Sequence, residues 1–211
     1  DLIAKGSLFS ELEKEGLCKI QIDLMRQIIP TYRQLQEAGQ VELATSPWGH
    51  PILPLLYDTD VARQTNPGMG LPDPFRAAAD VTWHLEKAMQ QMTGWFISPP
   101  AGLWPSEGSL SSPILPSVAK AGFRWIATDE EILWKSSPSP RTSLYQPFRV
   151  TTEGGDLTLV FRDHLLSDRI GFVYSGWPPE KACSDFLGRL KAIEKAAPTG
   201  GPPPWVLVAL D

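Results

Sequence analysis

Proline placement constrains this chain more than any other feature. Twenty of its 21 prolines fall after residue 46. Proline fixes φ and gives up a backbone donor, so a long helix or a central strand has little room in the second part. The first part is free to be helical, and from Ser10 to Gly39 it carries the spacing of a helix. Leu17, Ile20, Leu24, Ile28, Tyr32 and Leu35 recur every three or four residues, and Leu12, Ile22, Met25 and Ile29 widen the stripe. Ser10 followed by Glu13 is a capping-box signature, and Gly39 is a stop signal. Pro30 is expected to kink or divide the stretch.

The proline-rich part reads as short elements joined by loops. Val41 to Thr45 is a short strand, and Ser46 to Pro74, with six prolines, is a long ordered loop of the kind that carries function. A helix is expected over Phe75 to Met92, a strand over Trp95 to Ser98, a loop from Pro99 to Ser112 and a helix to Ala121. A strand over Phe123 to Thr128 ends on Asp129, and a weak segment runs through Thr142. Strands follow near Phe148 to Thr151 and Leu157 to Phe161. A helix from Ser184 to Ala197, a linker and a buried strand from Trp205 to Leu210 complete the chain. Strands alternating with helices describe β-α units on a parallel sheet, whose ligands bind at the carboxyl ends of the strands.

Composition narrows the function. Nineteen basic against 24 acidic residues, a net charge of −5, argue against nucleic acid as a partner. No apolar run reaches the roughly 18 residues of a membrane span, so no membrane association is expected. Cys18 and Cys183 are expected to be buried thiols. His50, His84 and His164 lie far apart, without the spacing of a metal site, so neither metal nor other cofactor is expected. Hydrolase elbows and nucleotide loops are absent from the sequence. The opening on Asp1 and the apolar run that stops at Asp211 read as a piece of a longer protein. On that reading an unpaired sheet edge invites self-association through the ends. The compartment is not fixed by the sequence, and a cytoplasmic one is expected.

Gly102-Leu-Trp-Pro-Ser-Glu-Gly108 sets Glu107 between an indole and a glycine in a proline-stiffened loop. A carboxylate beside an aromatic face suits carbohydrate chemistry, in which sugars stack on Trp and the acid works at the anomeric centre. A cap for the helix near Ser112 is the other reading of Glu107, with Trp104 simply packed. Glu42 lies inside a strand, where a buried carboxylate must find a partner, and His50 follows it. At a strand end, Arg162 and Asp163 read by themselves as a surface ion pair or a helix cap ahead of ligands, and Asp168 lies close by in sequence.

Four blocks carry a resemblance to glycoside hydrolase family 57, the retaining α-glucan enzymes that include amylopullulanases and 4-α-glucanotransferases. They are Gly39-Gln-Val-Glu-Leu-Ala-Thr-Ser-Pro-Trp-Gly-His-Pro-Ile-Leu-Pro-Leu-Leu56, Gly102-Leu-Trp-Pro-Ser-Glu-Gly-Ser-Leu-Ser111, Ala121-Gly-Phe-Arg-Trp-Ile-Ala-Thr-Asp-Glu130 and Phe161-Arg-Asp-His-Leu-Leu-Ser-Asp-Arg-Ile-Gly-Phe172. The resemblance implies an α/β fold, an incomplete (β/α)7 barrel with parallel strands, truncated here at both ends. Residues 1–211 are then part of one catalytic domain, with a helical segment over 1–39 and barrel elements over 40–211. It further implies Glu107 as nucleophile and Asp211, at the end of a later strand, as acid/base. Glu42, Trp48, His50, Trp104, Asp129, Arg162, Asp163 and Asp168 are the implied glucan ligands. The family's first strand and the residues that follow its catalytic aspartate have no counterpart in this sequence. Two rival readings are a non-catalytic glucan-binding relative and a metal-dependent carbohydrate deacetylase.

Overall fold

A computed structural model describes residues 2–138 and 140–210. A first short helix, α1 (Leu2–Lys5), precedes the long α2 (Glu11–Glu37). The capping box starts α2 as its sequence demands: the Glu13 amide donates to Ser10 Oγ at 3.3 Å, and the Ser10 amide donates to Glu13 Oε2 at 2.7 Å. At the other end Gly39 takes a left-handed φ of 67°. Gln40 N then reaches Leu35 O and Gly39 N reaches Gln36 O, at 2.9 and 3.0 Å, the pair of bonds of a Schellman stop. Pro30 lies inside α2 without dividing it. Its fixed φ suits a helix, and the hydrogen bond it forgoes is one among many.

None of the residues of α2 is buried, and its apolar stripe is bare, with Ile20 and Leu24 each 60% exposed. Its contacts with the body lie at the C-terminal end, where Arg33 Nε donates to Trp95 O and Gln36 Oε1 accepts from Ile97 N at 3.1 Å. Cys18 sits on this uncovered helix and Cys183 on α9 (Pro179–Ala196). Both thiols are exposed, contrary to the burial expected from residue type. No helix among the described residues is long and apolar enough to cross a membrane.

The body is an open five-stranded sheet in the order β1-β2-β3-β5-β4. Strands β1 (Ala44–Thr45), β2 (Gly102–Leu103), β3 (Trp125–Asp129) and β5 (Gly155–Arg162) run parallel, with Ala44 opposite Gly102, Gly102 opposite Trp125 and Ile126 opposite Leu159. The expected parallel α/β sheet is therefore present, with one exception. Strand β4 (Phe148–Thr152) turns back through a tight hairpin and pairs antiparallel with β5, so it is an added edge rather than another β-α unit.

Between the first two strands lie α3 (Leu53–Tyr57), α4 (Ala62–Thr65) and α5 (Ala78–Trp95), and α6 (Leu115–Lys120) joins β2 to β3. Val81 and Leu85 of α5 pack with Leu103, Ile114, Val118 and Ile126, all of them essentially solvent-free, and Ala88 is buried at the same helical spacing. Helix α5 packs on α3, β1 and α6, and α6 packs on β4 and β5.

Three expected elements are displaced. The strand placed at Trp95 to Ser98 is the end of α5 and an irregular link, because Phe96 N completes the helix by bonding Met92 O and only Phe96 of the four is buried. The strand itself is the two-residue β2. Strand β1 is also only two residues, so Glu42 precedes it. The segment after Asp129 is helical, α7 (Glu130–Ser136), capped by Asp129. Residues 205–210 form a single parallel bridge, Leu207 to Arg162, with Trp205 and Leu210 exposed, where a buried strand was expected. Beyond Arg162 the chain has already turned into α8 (His164–Asp168), which leaves no ladder to extend.

Candidate active site

Glu107 is presented by a strained turn. Strand β2 ends at Leu103, the Trp104 amide bonds Thr45 O at 2.9 Å, and the chain passes Pro105 into one 3-10 turn over Ser106–Gly108. Glu107 takes φ 55° and ψ 25° within it. A side chain in the left-handed region costs about 1 kcal/mol or more, a strain that persists only where surrounding contacts enforce it. Those contacts are the Gly108 amide on Pro105 O at 2.9 Å and the Thr128 hydroxyl on Gly108 O at 2.5 Å. Pro105, Ser106 and Gly108 are buried, while the Glu107 side chain is 63% exposed. His50, also left-handed at φ 56°, brings Nε2 to 3.3 Å from Glu107 Oε1. The carboxylate bonds no amide at the start of the Ser112 turn or of α6, so the geometry does not support the helix-cap reading.

Beside this turn lies a cleft of about 290 Å³, lined by Trp104, Glu107, Gly108, Asp129, Arg162 and His164 and by Ile132 and Lys135 of α7. Its floor is an ionic cluster at the carboxyl ends of β3 and β5. Arg162 Nε donates to Asp129 Oδ2 at 2.7 Å, and His164 Nδ1 meets the same oxygen at 3.1 Å. The other Asp129 oxygen caps α7 through the Glu131 amide at 3.0 Å. Burial pushes the Asp129 carboxyl up, but the Glu131 amide, Arg162 and His164 together hold it below its ordinary range. Across the His164 ring, Nε2 lies 3.0 Å from Asp168 Oδ2. A ring with a carboxylate at each nitrogen satisfies both only as imidazolium.

Burial pushes His164 down, yet Asp129 and Asp168 outweigh it and raise its pKa above the ordinary 6.5. A raised folded-state value contributes stability that is complete below 6.5 and lost as pH climbs through the folded value. His164→Gln should therefore lower the melting temperature more at pH 6 than at pH 9. A loss that is equal at the two pH values would show that folding does not raise the pKa of His164.

The remaining sequence candidates are dispersed. Glu42 is exposed rather than buried, and its Oε1 accepts from Trp125 Nε1 at 2.8 Å. Trp48 packs edge-on against Trp83 with centroids 5.2 Å apart, outside the cleft lining, and its carbonyl meets His84 Nδ1 at 2.5 Å. Asp163 is 6% exposed and takes the cap role its sequence position allows: it caps α8 through the Leu166 amide at 2.8 Å and accepts from the Tyr145 hydroxyl at 2.9 Å. Asp168 meets His164 and is not among the residues that line the cleft. Asp211 lies outside the described residues. His164, Lys135 and Ile132 were not singled out by sequence. The signal for the last two was Asp129 ahead of Glu131 and Lys135, a cap and an i,i+4 ion pair, which marks α7 as a helix.

A carboxylate and a tryptophan in a cleft at the carboxyl ends of parallel strands define a site suited to carbohydrate chemistry on an α/β sheet. Residues 8–211 match the family described as Glycosyl hydrolase family 57, and the chain belongs to that family. No curated protein matches it. Among solved structures, the GH57-type branching enzyme from the hyperthermophilic archaeon Pyrococcus horikoshii is similar at 18% identity and a TM-score of 0.62, over 92% of this chain and 42% of that one. The 4-alpha-glucanotransferase from Thermococcus litoralis is similar at 17% identity and a TM-score of 0.59, over 85% of this chain and 23% of the other. A putative polysaccharide deacetylase from Mycobacterium smegmatis also shares the fold, at 18% identity and a TM-score of 0.52, over 85% of this chain and 52% of the other. This chain therefore spans well under two thirds of each of these proteins. Among the described residues no group of three His, Cys, Asp or Glu is placed to hold a metal ion.

Proposed function

We propose that this chain carries the nucleophile and one wall of the cleft of a retaining enzyme that hydrolyses or transfers α-glucan chains. The observation that supports it best is Glu107, held out of a buried left-handed turn into a cleft shared with Trp104, in a chain of glycosyl hydrolase family 57. Ionised Glu107 attacks the anomeric carbon while protonated Asp211 gives its proton to the departing glycosidic oxygen. Asp211, now a carboxylate, takes a proton from water or from a sugar hydroxyl, which attacks the anomeric carbon and releases Glu107. His50 orients the nucleophile. Trp104 offers a face to a sugar ring, and Arg162 and Asp129 offer a hydrogen-bond donor and acceptor to its hydroxyls.

The two carboxyls of a retaining pair stand about 5 to 5.5 Å apart. The full-length protein given maltooligosaccharides should produce either shorter chains with new reducing ends, from water, or longer and shorter chains at constant reducing ends, from a sugar acceptor. Binding with neither product would instead identify a non-catalytic glucan-binding relative.

A further inference from the structure

Helix α7 forms part of the cleft wall, and what fixes it to the body is not what it shows to the cleft. Asp129 at the end of β3 caps its first turn, Glu130 Oε2 accepts from the His164 amide at 3.3 Å, and Leu133 is 3% exposed within the core. Glu131 and Lys135 are four residues apart and share a face, while Leu133, two residues from each, lies on the opposite one. Glu131, Ile132 and Lys135 all line the cleft that holds Glu107.

The floor of the cleft is largely engaged with itself. Asp129 accepts from Arg162 and His164 on one oxygen and from the Glu131 amide on the other, which fills three of the roughly four acceptor sites of a carboxylate. Both ring nitrogens of His164 meet carboxylates, and Arg162 Nη1 also reaches the Ala209 carbonyl at 3.4 Å. The wall differs. Lys135 Nζ and Glu131 Oε2 stand 3.5 Å apart, at the outer limit of a hydrogen bond, with side chains 56% and 65% exposed. Among the described residues neither side chain has another polar partner. An exposed pair of this kind contributes little to stability, so both tips are available to a ligand.

We infer that Glu131 and Lys135 bind neighbouring hydroxyls of one sugar ring in the Glu107 cleft, and so set which ring is accepted there. The inference rests on the reading given under Proposed function. A carboxylate only accepts and an ammonium only donates, whereas a hydroxyl does both, so the pair matches two hydroxyls side by side. Ile132 adds an apolar edge for the ring. The charges of the lining balance, with Glu107, Asp129 and Glu131 against Lys135, Arg162 and the His164 imidazolium. That balance suits an uncharged sugar rather than a phosphorylated or uronic one. A cleft of about 290 Å³ is at the low end for small-ligand sites, with room for about one ring. Because α7 is held from its other face, binding has only two side-chain tips to order.

Substrates that lack single hydroxyls separate such contacts from a general structural effect. In the full-length protein, Lys135→Met and Glu131→Gln should each lower kcat/KM for maltooligosaccharides about 10- to 100-fold, with melting temperatures within about 3 °C of the parent. Lys135→Arg, which keeps a cationic donor, should recover most of the loss. Among maltotetraose analogues that each lack one hydroxyl, the parent should reject at least one by about tenfold or more. Lys135→Met or Glu131→Gln should turn over that analogue and the complete sugar with kcat/KM values equal to within about twofold, because the contact is already gone. Variants as active as the parent, a loss spread equally over every analogue, or a larger fall in melting temperature would each overturn the inference. A parent protein that neither binds nor cleaves maltooligosaccharides overturns the reading under Proposed function, whereas an active parent with indifferent variants overturns this inference alone.

Discussion

Replacing Glu107 with glycine should abolish turnover in the full-length protein and leave it as stable as before or slightly more so. On the mechanism proposed above, loss of Glu107 removes the covalent step, so the rate on maltooligosaccharides is expected to fall by at least about a thousandfold. Stability moves by a different cause. Glu107 holds a left-handed backbone at φ 55°, which costs a side-chain-bearing residue about 1 to 2 kcal/mol and glycine nothing. The extra freedom of glycine in the unfolded chain returns about 0.5 to 1 kcal/mol of that gain. Because the side chain is 63% exposed, little packing is lost with it. Azide, entering the space left by the carboxylate, should restore turnover of an activated glycoside as a glycosyl azide of inverted configuration. A glycine variant that retains near-normal turnover would remove Glu107 from the chemistry. One that melts far below the parent would show that the carboxylate supports the fold instead.

The opposition between strain and function at this turn also explains what the sequence made legible. Glu107 and Trp104 could be placed because Pro105 and Gly108 mark a turn whatever the exact strand boundary. The boundary itself could not: β2 has two residues, too few for a period of two to show, and the more apolar Trp95 to Ile97 drew the strand assignment there. What decides β2 is lateral pairing with β1 and β3, which is not a property of the segment. By contrast α2 was legible to within a residue at its start, since period, capping box and terminal glycine agree.

The floor of the cleft was half legible. Asp129 and Arg162 end neighbouring parallel strands in register, so the strand assignment brings them together. Asp163 and His164 are adjacent in sequence and go opposite ways. The first residue of the pair caps α8, which folds its carboxylate back onto the Leu166 amide and into the interior. The second, freed of that duty, turns toward Asp129 and Asp168. Without the helix boundary, nothing in Arg162-Asp163-His164 tells which acid or base meets the cleft.

Gly102→Ala should be among the most damaging single substitutions in the protein. Gly102 and Trp125 face each other across the β2–β3 ladder, and the indole lies directly over the glycine. A Cβ added at Gly102 would sit 2.0 Å from Trp125 Cζ2 and 2.3 Å from Cε2, so something must move. Strand β2 cannot, because its two residues are bonded to β1 on one side and β3 on the other. The indole can leave only by giving up its bond from Nε1 to Glu42 and by exposing the buried backbone beneath it. Overpacking of this kind costs about 1 to 3 kcal/mol, and the lost hydrogen bond to a carboxylate adds about 1.5 kcal/mol or more. At about 2 to 4 °C per kcal/mol for a domain of this size, the melting temperature should fall by roughly 5 to 15 °C. Gly188→Ala is the control: nothing lies within 4 Å of its added Cβ in α9, and a helix interior favours alanine over glycine by about 1 kcal/mol. Trp125→Ala in the Gly102→Ala background should recover part of the loss, since the two sites are in contact and their effects cannot add. A Gly102→Ala protein that melts with the parent would mean that the ring is not seated on the glycine. The same variant should lose turnover too, because β2 runs straight into Trp104 and the turn that holds Glu107.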